Sequence, residues 1–377
     1  MAPEPLNLDI TLCRERQKRV GEMMQARGVD RLVVTRPEHV QYLTGFRPLY
    51  LMTAIVCLNA DGQVLLVAPN VCPPHCAADE VLTYAAQLHS TLRQEQFAAA
   101  AECLQQYLAG VAVGQIGVDG SQFGLHALRA AGVQTTSVDE VTDLEPELWE
   151  LRRRKDPDEL ALMRRAIECT DAMYQRAREI IEPGTNELEL FGELHAVAVN
   201  VAGEPLSALL GNDYQCNSRG GPPRNREAAA GELYILDLGP CYRGYYADNC
   251  RTISVDRNPT PPQLQAWEAI LPVFDMIQRD VRPGVSAKEI FERASRILAE
   301  CSLGEFPHHL GHGVGLYPHE APHLNPFWND CFQEGDVFTV EPGLYSDPLS
   351  HGLRLENNYL VTAHGVELLT PFPLELH

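Results

Sequence analysis

The feature that most limits how this chain can fold is a repeat at a distance. Ile181, Glu182, Pro183, Gly184, Thr185 and Asn186 are answered one hundred residues later by Val281, Arg282, Pro283, Gly284, Val285 and Ser286. Each copy ends an apolar helix-like run, turns at Pro-Gly, and then offers a helix cap with glutamate at the third helical position, Asn186 with Glu189 and Ser286 with Glu289. Equal placement of the two units implies two related halves inside one C-terminal domain. An active site between such halves would draw its groups from both.

The rest of the chain is long enough for a second, smaller domain, since 377 residues exceed the usual size of one. Its pattern predicts an amphipathic helix over 11–27, a strand over 31–35, a hairpin of 53–59 with 63–67 turning at Ala60, Asp61 and Gly62, a helix over 94–108 and a strand over 115–118. Helices packed on a sheet follow. Tyr42, Phe46 and Tyr50 around Gly45 could line a pocket or serve packing. Asp156, Pro157, Asp158 and Glu159 mark a helix start, because carboxylates favour its exposed amides and proline tolerates a missing donor. The boundary is placed just before that segment, giving domains 1–148 and 149–377. The basic residues of 148–165 are expected to form a solvated connecting face that pairs with acids.

Composition narrows the functional classes. With 45% hydrophobic and 21% charged residues the chain can bury a full core, so disordered and collagen-like readings fall away. The 30 basic against 51 acidic side chains leave a formal charge of −21, which repels phosphate backbones and anionic lipid; neither nucleic acid nor membrane is an expected partner. Glu4 and Asp9 stand where a secretory signal needs a basic start and an apolar core, and no run of eighteen apolar residues occurs. Eleven cysteines without a CxxC pair suit a reducing compartment, so a cytoplasmic location is expected. Cys72 and Cys76, the one close pair, lack the second half of a metal knuckle.

The chemistry lies in the second domain. Asp237 interrupts the apolar run ELYILDLG, and Asp248 follows in ADNCRTISV. A lone carboxylate in an apolar strand must be desolvated without a partner, so Asp237 calls for a cation. If the two strands fold back on each other, both acids converge on one site and repel unless positive charge lies between them. In PHHLGHGVGLYPHEAP, His312 is flanked by Gly311 and Gly313, which lets the backbone approach a buried centre, and His319 follows seven residues on. Glu341 ends the apolar VFTVEPG and Glu356 interrupts GLRLENNYLV. Four carboxylates with one imidazole suit two divalent ions, Mn, Co, Zn or Fe, better than one calcium. Such a pair is the equipment for hydrolysing an unreactive acyl bond.

The ordered set Asp237, Asp248, His312, Glu341 and Glu356, with LDLG, GHGVG, HEAP, FTVEPGLY and LRLEN, resembles the pita-bread metallopeptidase family of methionine aminopeptidase, Xaa-Pro aminopeptidase, prolidase and the creatinase branch. The likeness implies an α+β C-terminal domain of pita-bread (creatinase/aminopeptidase) fold with an internal pseudo-twofold repeat, preceded by a smaller α/β creatinase-type N-terminal domain. It implies two divalent ions per chain, manganese favoured, and a homodimer. By this resemblance Asp237 would bind one ion, Asp248 would bind or bridge both, His312 would bind the second, Glu341 would be a ligand and general base, and Glu356 would bridge. His319 would contact the substrate amide and help protonate the leaving nitrogen, and Arg354 would orient ligands or a substrate carboxylate. The implied activity is removal of the N-terminal residue from short peptides, with Xaa-Pro bonds preferred; hydrolysis of a small non-peptide amide or amidine is the alternative, and a non-catalytic interaction protein is the third class, against which the retained ligand set argues.

Two departures stand out. The family places a histidine some seventeen or eighteen residues before the first Asp, where this chain has Arg219 and Gly220, and no histidine occurs between His195 and His308. Arg219 is the nearest replacement, able to fix a substrate carboxylate but not to shuttle a proton near neutral pH. His195, on a helix-like run, is expected to serve packing. Asn357 stands where an acid is common, which is expected to weaken the hydrogen bonding behind Glu356 without removing a ligand.

Overall fold

A computed structural model describes residues 5–112, 114–122, 125–133, 141–208 and 213–377. The chain divides into two units, Asn7–Arg152 on one hand and Arg153–His377 with residues 5–6 on the other.

In the first unit six strands form one sheet in the order Glu80–Tyr84, Val64–Pro69, Ile55–Asn59, Arg31–Val34, Ile116–Val118, Val141–Asp143. The middle pairs are antiparallel and the outer ones parallel. Arg31–Val34 and Val64–Pro69 are buried along their whole length, as strands covered on both faces must be. The expected hairpin forms, with Gly62 at φ 88° in the turn after Leu58 pairs with Val64. Helix Ile10–Ala26 starts a residue early because Asp9 caps it, accepting from the amides of Thr11 and Leu12. Tyr42 is buried and its hydroxyl donates to Leu151 O at 3.2 Å, whereas Tyr50 is 82% exposed, so these rings do not line one pocket. Neither Cys72 nor Cys76 joins a cluster of metal-binding groups among the described residues.

The second unit is built on the repeat. Pro157–Ile180 precedes Glu187–Ala202, and Pro261–Asp280 precedes Ala287–Ala299. The two Pro-Gly turns make the same hydrogen bonds. Gly184 N donates to Ala228 O and Gly284 N to Phe332 O, both at 2.8 Å, and the amides of Ala228 and Phe332 return bonds of 2.9 Å to Thr185 O and Val285 O. Both glycines take positive φ, 98° and 87°. The caps differ slightly, Ser286 Oγ accepting from Glu289 N while Asn186 Oδ1 accepts from Leu188 N, one position earlier.

Each helix pair accompanies a sheet. The first has three strands, ordered Asn249–Ser254, Leu233–Leu238, Tyr214–Cys216; the second has five, ordered Glu320–Leu324, Gly311–Gly313, Val337–Val340, Asn357–Thr362, Gly365–Leu368. Ile270, Ile277, Ile290, Leu298, Phe338 and Tyr359 belong to one buried cluster that joins the second helix pair to its sheet. At the head of Pro157–Ile180, Glu159 Oε2 accepts from Asp156 N at 2.9 Å. The basic segment departs from expectation: Arg153 and Lys155 are buried rather than solvated, paired with Asp336 at 2.7 Å and Glu320 at 3.0 Å. A buried cation survives there because each has a carboxylate to meet it. No helix among the described residues is long and apolar enough to cross a membrane.

Candidate active site

Every acid singled out in the sequence sits at or beside a strand end. Asp237 is the fifth residue of Leu233–Leu238, opposite Cys250 on the antiparallel Asn249–Ser254, and Asp248 immediately precedes that second strand. Glu341 follows Val337–Val340 and Glu356 precedes Asn357–Thr362, two strands that pair antiparallel. His312 is the middle residue of Gly311–Gly313, on the other side of Val337–Val340. Its glycines are required by space, since a Cβ on Gly311 would lie 2.1 Å from Thr339 O and one on Gly313 2.0 Å from Ala321 O. The two halves join where Glu356 N donates to Cys250 O at 2.8 Å.

Asp237, Asp248, His312, His319, Glu341 and Glu356 all line one cavity of about 390 Å³. Ligand atoms of Asp237, Asp248 and Glu356 lie within 4.8 Å of one another, and so do those of His312, Glu341 and Glu356, so Glu356 is common to two adjoining donor sets. His312 Nε2 is 3.7 Å from Asp248 Oδ2 and 3.6 Å from Glu341 Oε1. Glu356 is 1% exposed and its Oε2 has no hydrogen-bond partner. An ionised oxygen buried in this way is costly unless a cation takes it, so the donor set fits a metal centre. His319 stacks on His312 with ring centroids 3.7 Å apart and planes 11° from parallel.

The electrostatics match a cage built for positive charge. Burial, and then the charges of neighbouring carboxylates, push Asp248 and Glu356 well above the usual carboxyl range. Glu341 goes the other way: although burial opposes its charge, the His309 hydrogen bond and the charges of His309, His312 and Arg354 hold it at about 2. Burial lowers His312 to about 4, and lowers His319 as well. His312 is thus a neutral imidazole, the form that binds metal.

Arg354 is committed within the protein. Its Nη2 donates to Asp237 Oδ2 at 2.8 Å and also to Asp213, and its Nη1 donates to Tyr345 Oη at 3.1 Å. Arg219 is separate from the carboxylate cluster: it lines an adjoining cavity of about 280 Å³ with Pro307, His308, His309, Glu341, Tyr345 and Arg354. The loop carrying it is pinned by Gly221 N donating to Asp213 Oδ1 at 2.6 Å and Gln215 Nε2 donating to Pro222 O at 2.7 Å. Asn357 Oδ1 accepts from Arg251 Nη2 at 2.9 Å. His195 lies on Glu187–Ala202 beside Phe191, with ring centroids 6.2 Å apart.

Four residues of the site were not singled out by sequence. His309 Nε2 lies 2.8 Å from Glu341 Oε1, and His308 Nε2 lies 2.8 Å from Tyr345 Oη. The His-His pair in PHHLGHG was the available signal for two of them, and Tyr345 closes the FTVEPGLY run. Asp213, which bonds both Arg354 and Gly221, had none, because an acid in a polar loop has many ordinary explanations.

Comparison with known proteins defines the class. The chain resembles in sequence the Xaa-Pro dipeptidase of Pyrococcus horikoshii, 26% identical over 374 residues that cover 97% of this chain and 99% of that protein. The solved Xaa-Pro dipeptidase from Bacillus anthracis superposes with a TM-score of 0.81 at 21% identity, over 97% of this chain and 99% of that one. The prolidase from Pyrococcus horikoshii superposes at 0.78 with 24% identity, over 96% and 100%. The architecture is therefore the two-domain α+β one, a pita-bread domain preceded by a smaller creatinase-type domain. Residues 161–363 match the model of metallopeptidase family M24, and 16–154 match the Creatinase/Prolidase N-terminal domain. The chain belongs to metallopeptidase family M24.

Proposed function

We propose that the protein is a metal-dependent exopeptidase that hydrolyses Xaa-Pro dipeptides. One observation carries the reading: Asp237, Asp248 and Glu341 line one cavity with Glu356, whose buried oxygen lacks a partner, a set of four mutually repelling carboxylates that fits divalent cations. Asp237, Asp248 and Glu356 would hold one ion and His312, Glu341 and Glu356 a second, with manganese favoured over Co, Zn or Fe. When bound, the ions supply Lewis-acid polarisation of the scissile carbonyl and acidify water. The chain's own residues do the rest. Glu341, ionised, takes the proton of the attacking water. His319, stacked on His312, offers a ring N–H to the substrate amide. Arg354 holds Asp237 in place. Arg219 is a permanently charged fork suited to a terminal carboxylate, which favours dipeptides over longer chains. The likeness to Xaa-Pro dipeptidases supports the substrate class. The protein is further read as a cytoplasmic homodimer, which sedimentation would test by excluding a concentration-independent monomer.

The test is a screen of stripped protein reloaded with each of the four metals against Xaa-Pro dipeptides, Xaa-Pro-Xaa tripeptides, Met-peptides and small amides. About two ions per chain and dipeptide hydrolysis are expected, both lost in Asp248→Ala and Glu356→Ala. Arg219→Ala is expected to raise KM on the order of tenfold for a free dipeptide and much less for its C-terminally blocked analogue. Absence of specific metal on elemental analysis rejects the reading. Failure to cleave any Xaa-Pro bond with all four metals transfers it to a hydrolase of small amides or amidines.

A further inference from the structure

The missing upstream histidine leaves a peptidase of this kind one imidazole short, and the structure places an additional one in the site from a different direction. His309 lies three residues before His312, outside the strand Gly311–Gly313 that carries it. Its Nε2 is 2.8 Å from Glu341 Oε1, and its ring centroid is 5.4 Å from His312 and 5.8 Å from His319. The side chain is 32% exposed, so it meets the cavity rather than the core. The cavity of the carboxylate cluster and the cavity of Arg219 share His309 and Glu341 among their walls. A dipeptide with its scissile carbonyl at the carboxylate cluster and its terminal carboxylate at Arg219 would run past this junction, with the leaving nitrogen between its two ends.

Resting on the peptidase reading above, we infer that His309 is a further catalytic residue, the group that delivers the proton to the leaving nitrogen. Water adds its oxygen to the carbonyl carbon and gives a proton to Glu341. The C–N bond breaks with its electron pair on nitrogen, and that nitrogen takes the proton that His309 Nε2 had been donating to Glu341. Glu341 then passes the water's proton across the hydrogen bond to the vacated Nε2. The balance is one amide and one water consumed, one acid and one amine formed, with Glu341 and His309 restored. This assigns to His309 a share of the protonation that the sequence alone laid on His319, and it explains how Arg219 can occupy the upstream position without stopping chemistry.

The experiment compares wild type, His309→Ala and His309→Gln on two substrates that both end in a carboxylate: an Xaa-Pro dipeptide and the thioester of the same residue with thioglycolate, whose thiolate leaves without a proton. Metal content and melting temperature are measured on the same samples. Both variants are expected to keep metal and fold, to lose kcat on the dipeptide by roughly 10²–10³-fold with KM little changed, and to lose less than about tenfold on the thioester. Equal losses on both substrates would overturn the assignment, as would loss of metal, which would make His309 a ligand. Restoration of dipeptide turnover by His309→Gln would overturn it too, since glutamine donates a hydrogen bond but cannot relay the proton. Wild-type protein that cleaves neither substrate defeats the peptidase reading and this assignment together, whereas active wild type with unimpaired variants defeats the assignment alone.

Discussion

Glu356 shows how a single side chain can make the metal-free protein less stable as the pH rises. Burial and neighbouring carboxylates raise it and Asp248 well above the ordinary carboxyl range, so the folded protein holds these protons more tightly than the unfolded chain does. Their stabilising contribution is complete below the ordinary value of about 4 and is lost as pH rises from there toward the raised values. His312, lowered to about 4, works in the opposite sense only up to its ordinary 6.5, and is spent above pH 7. Chelated protein is therefore expected to melt lower at pH 9 than at pH 7, and reloading with divalent ions to raise the melting temperature more at pH 9; calorimetry showing chelated protein more stable at pH 9 would contradict this. Glu356→Gln should stabilise the chelated protein by about 1–4 kcal/mol and remove the gain from metal. At this scale the sequence was legible where an acid interrupts an apolar strand, because desolvation makes such a residue conspicuous. His309 was marked only by the His-His pair, and its meaning was hidden because it comes from Glu341, a residue farther along the chain that only the fold brings within 2.8 Å.

The elements were legible in proportion to how local their causes are. Both Pro-Gly turns and their capped helices could be read directly, since proline, glycine and a capping side chain act within a few residues. The edge strands Glu80–Tyr84 and Val141–Asp143 escaped notice because they are short and mostly half-exposed or exposed, so they show no run of buried positions. The repeated turn also yields a test of equivalence. A Cβ on Gly184 or Gly284 meets nothing within 4 Å, so Gly→Ala at either place costs only the positive φ, about 1–2 kcal/mol. Urea unfolding of the two single variants and the double is expected to give similar losses that add to within about 0.5 kcal/mol. A loss at one turn without the other would show that the halves are alike in hydrogen bonding but not in stability.

Across the whole molecule, the division of labour is visible in where the donors lie. All five proposed ligand residues belong to Arg153–His377, and the unit Asn7–Arg152 supplies none of them. Hydrogen exchange with and without divalent ions is therefore expected to slow on Leu233–Leu238, Val337–Val340 and Asn357–Thr362 and to stay as it was on Ile55–Asn59 and Val64–Pro69. Slowing on the latter pair to the same degree would mean that metal acts on the chain as one cooperative body. The two-domain plan was readable from length and from the repeat, whereas the six-stranded order of the first sheet was not, because parallel partners are set by contacts between distant segments.

The joining of the two halves through Glu356 and Cys250 has a consequence for biosynthesis. Asp237 and Asp248 are made first, and at the usual pace of roughly 5–20 residues per second the ribosome needs on the order of ten seconds more to reach Glu356. Until then the nascent chain lacks Glu356, the residue common to both proposed donor sets. The proposed donor set is complete only once the second half has been made and joined to the first, so metal selection would fall to the finished domain rather than to the growing one.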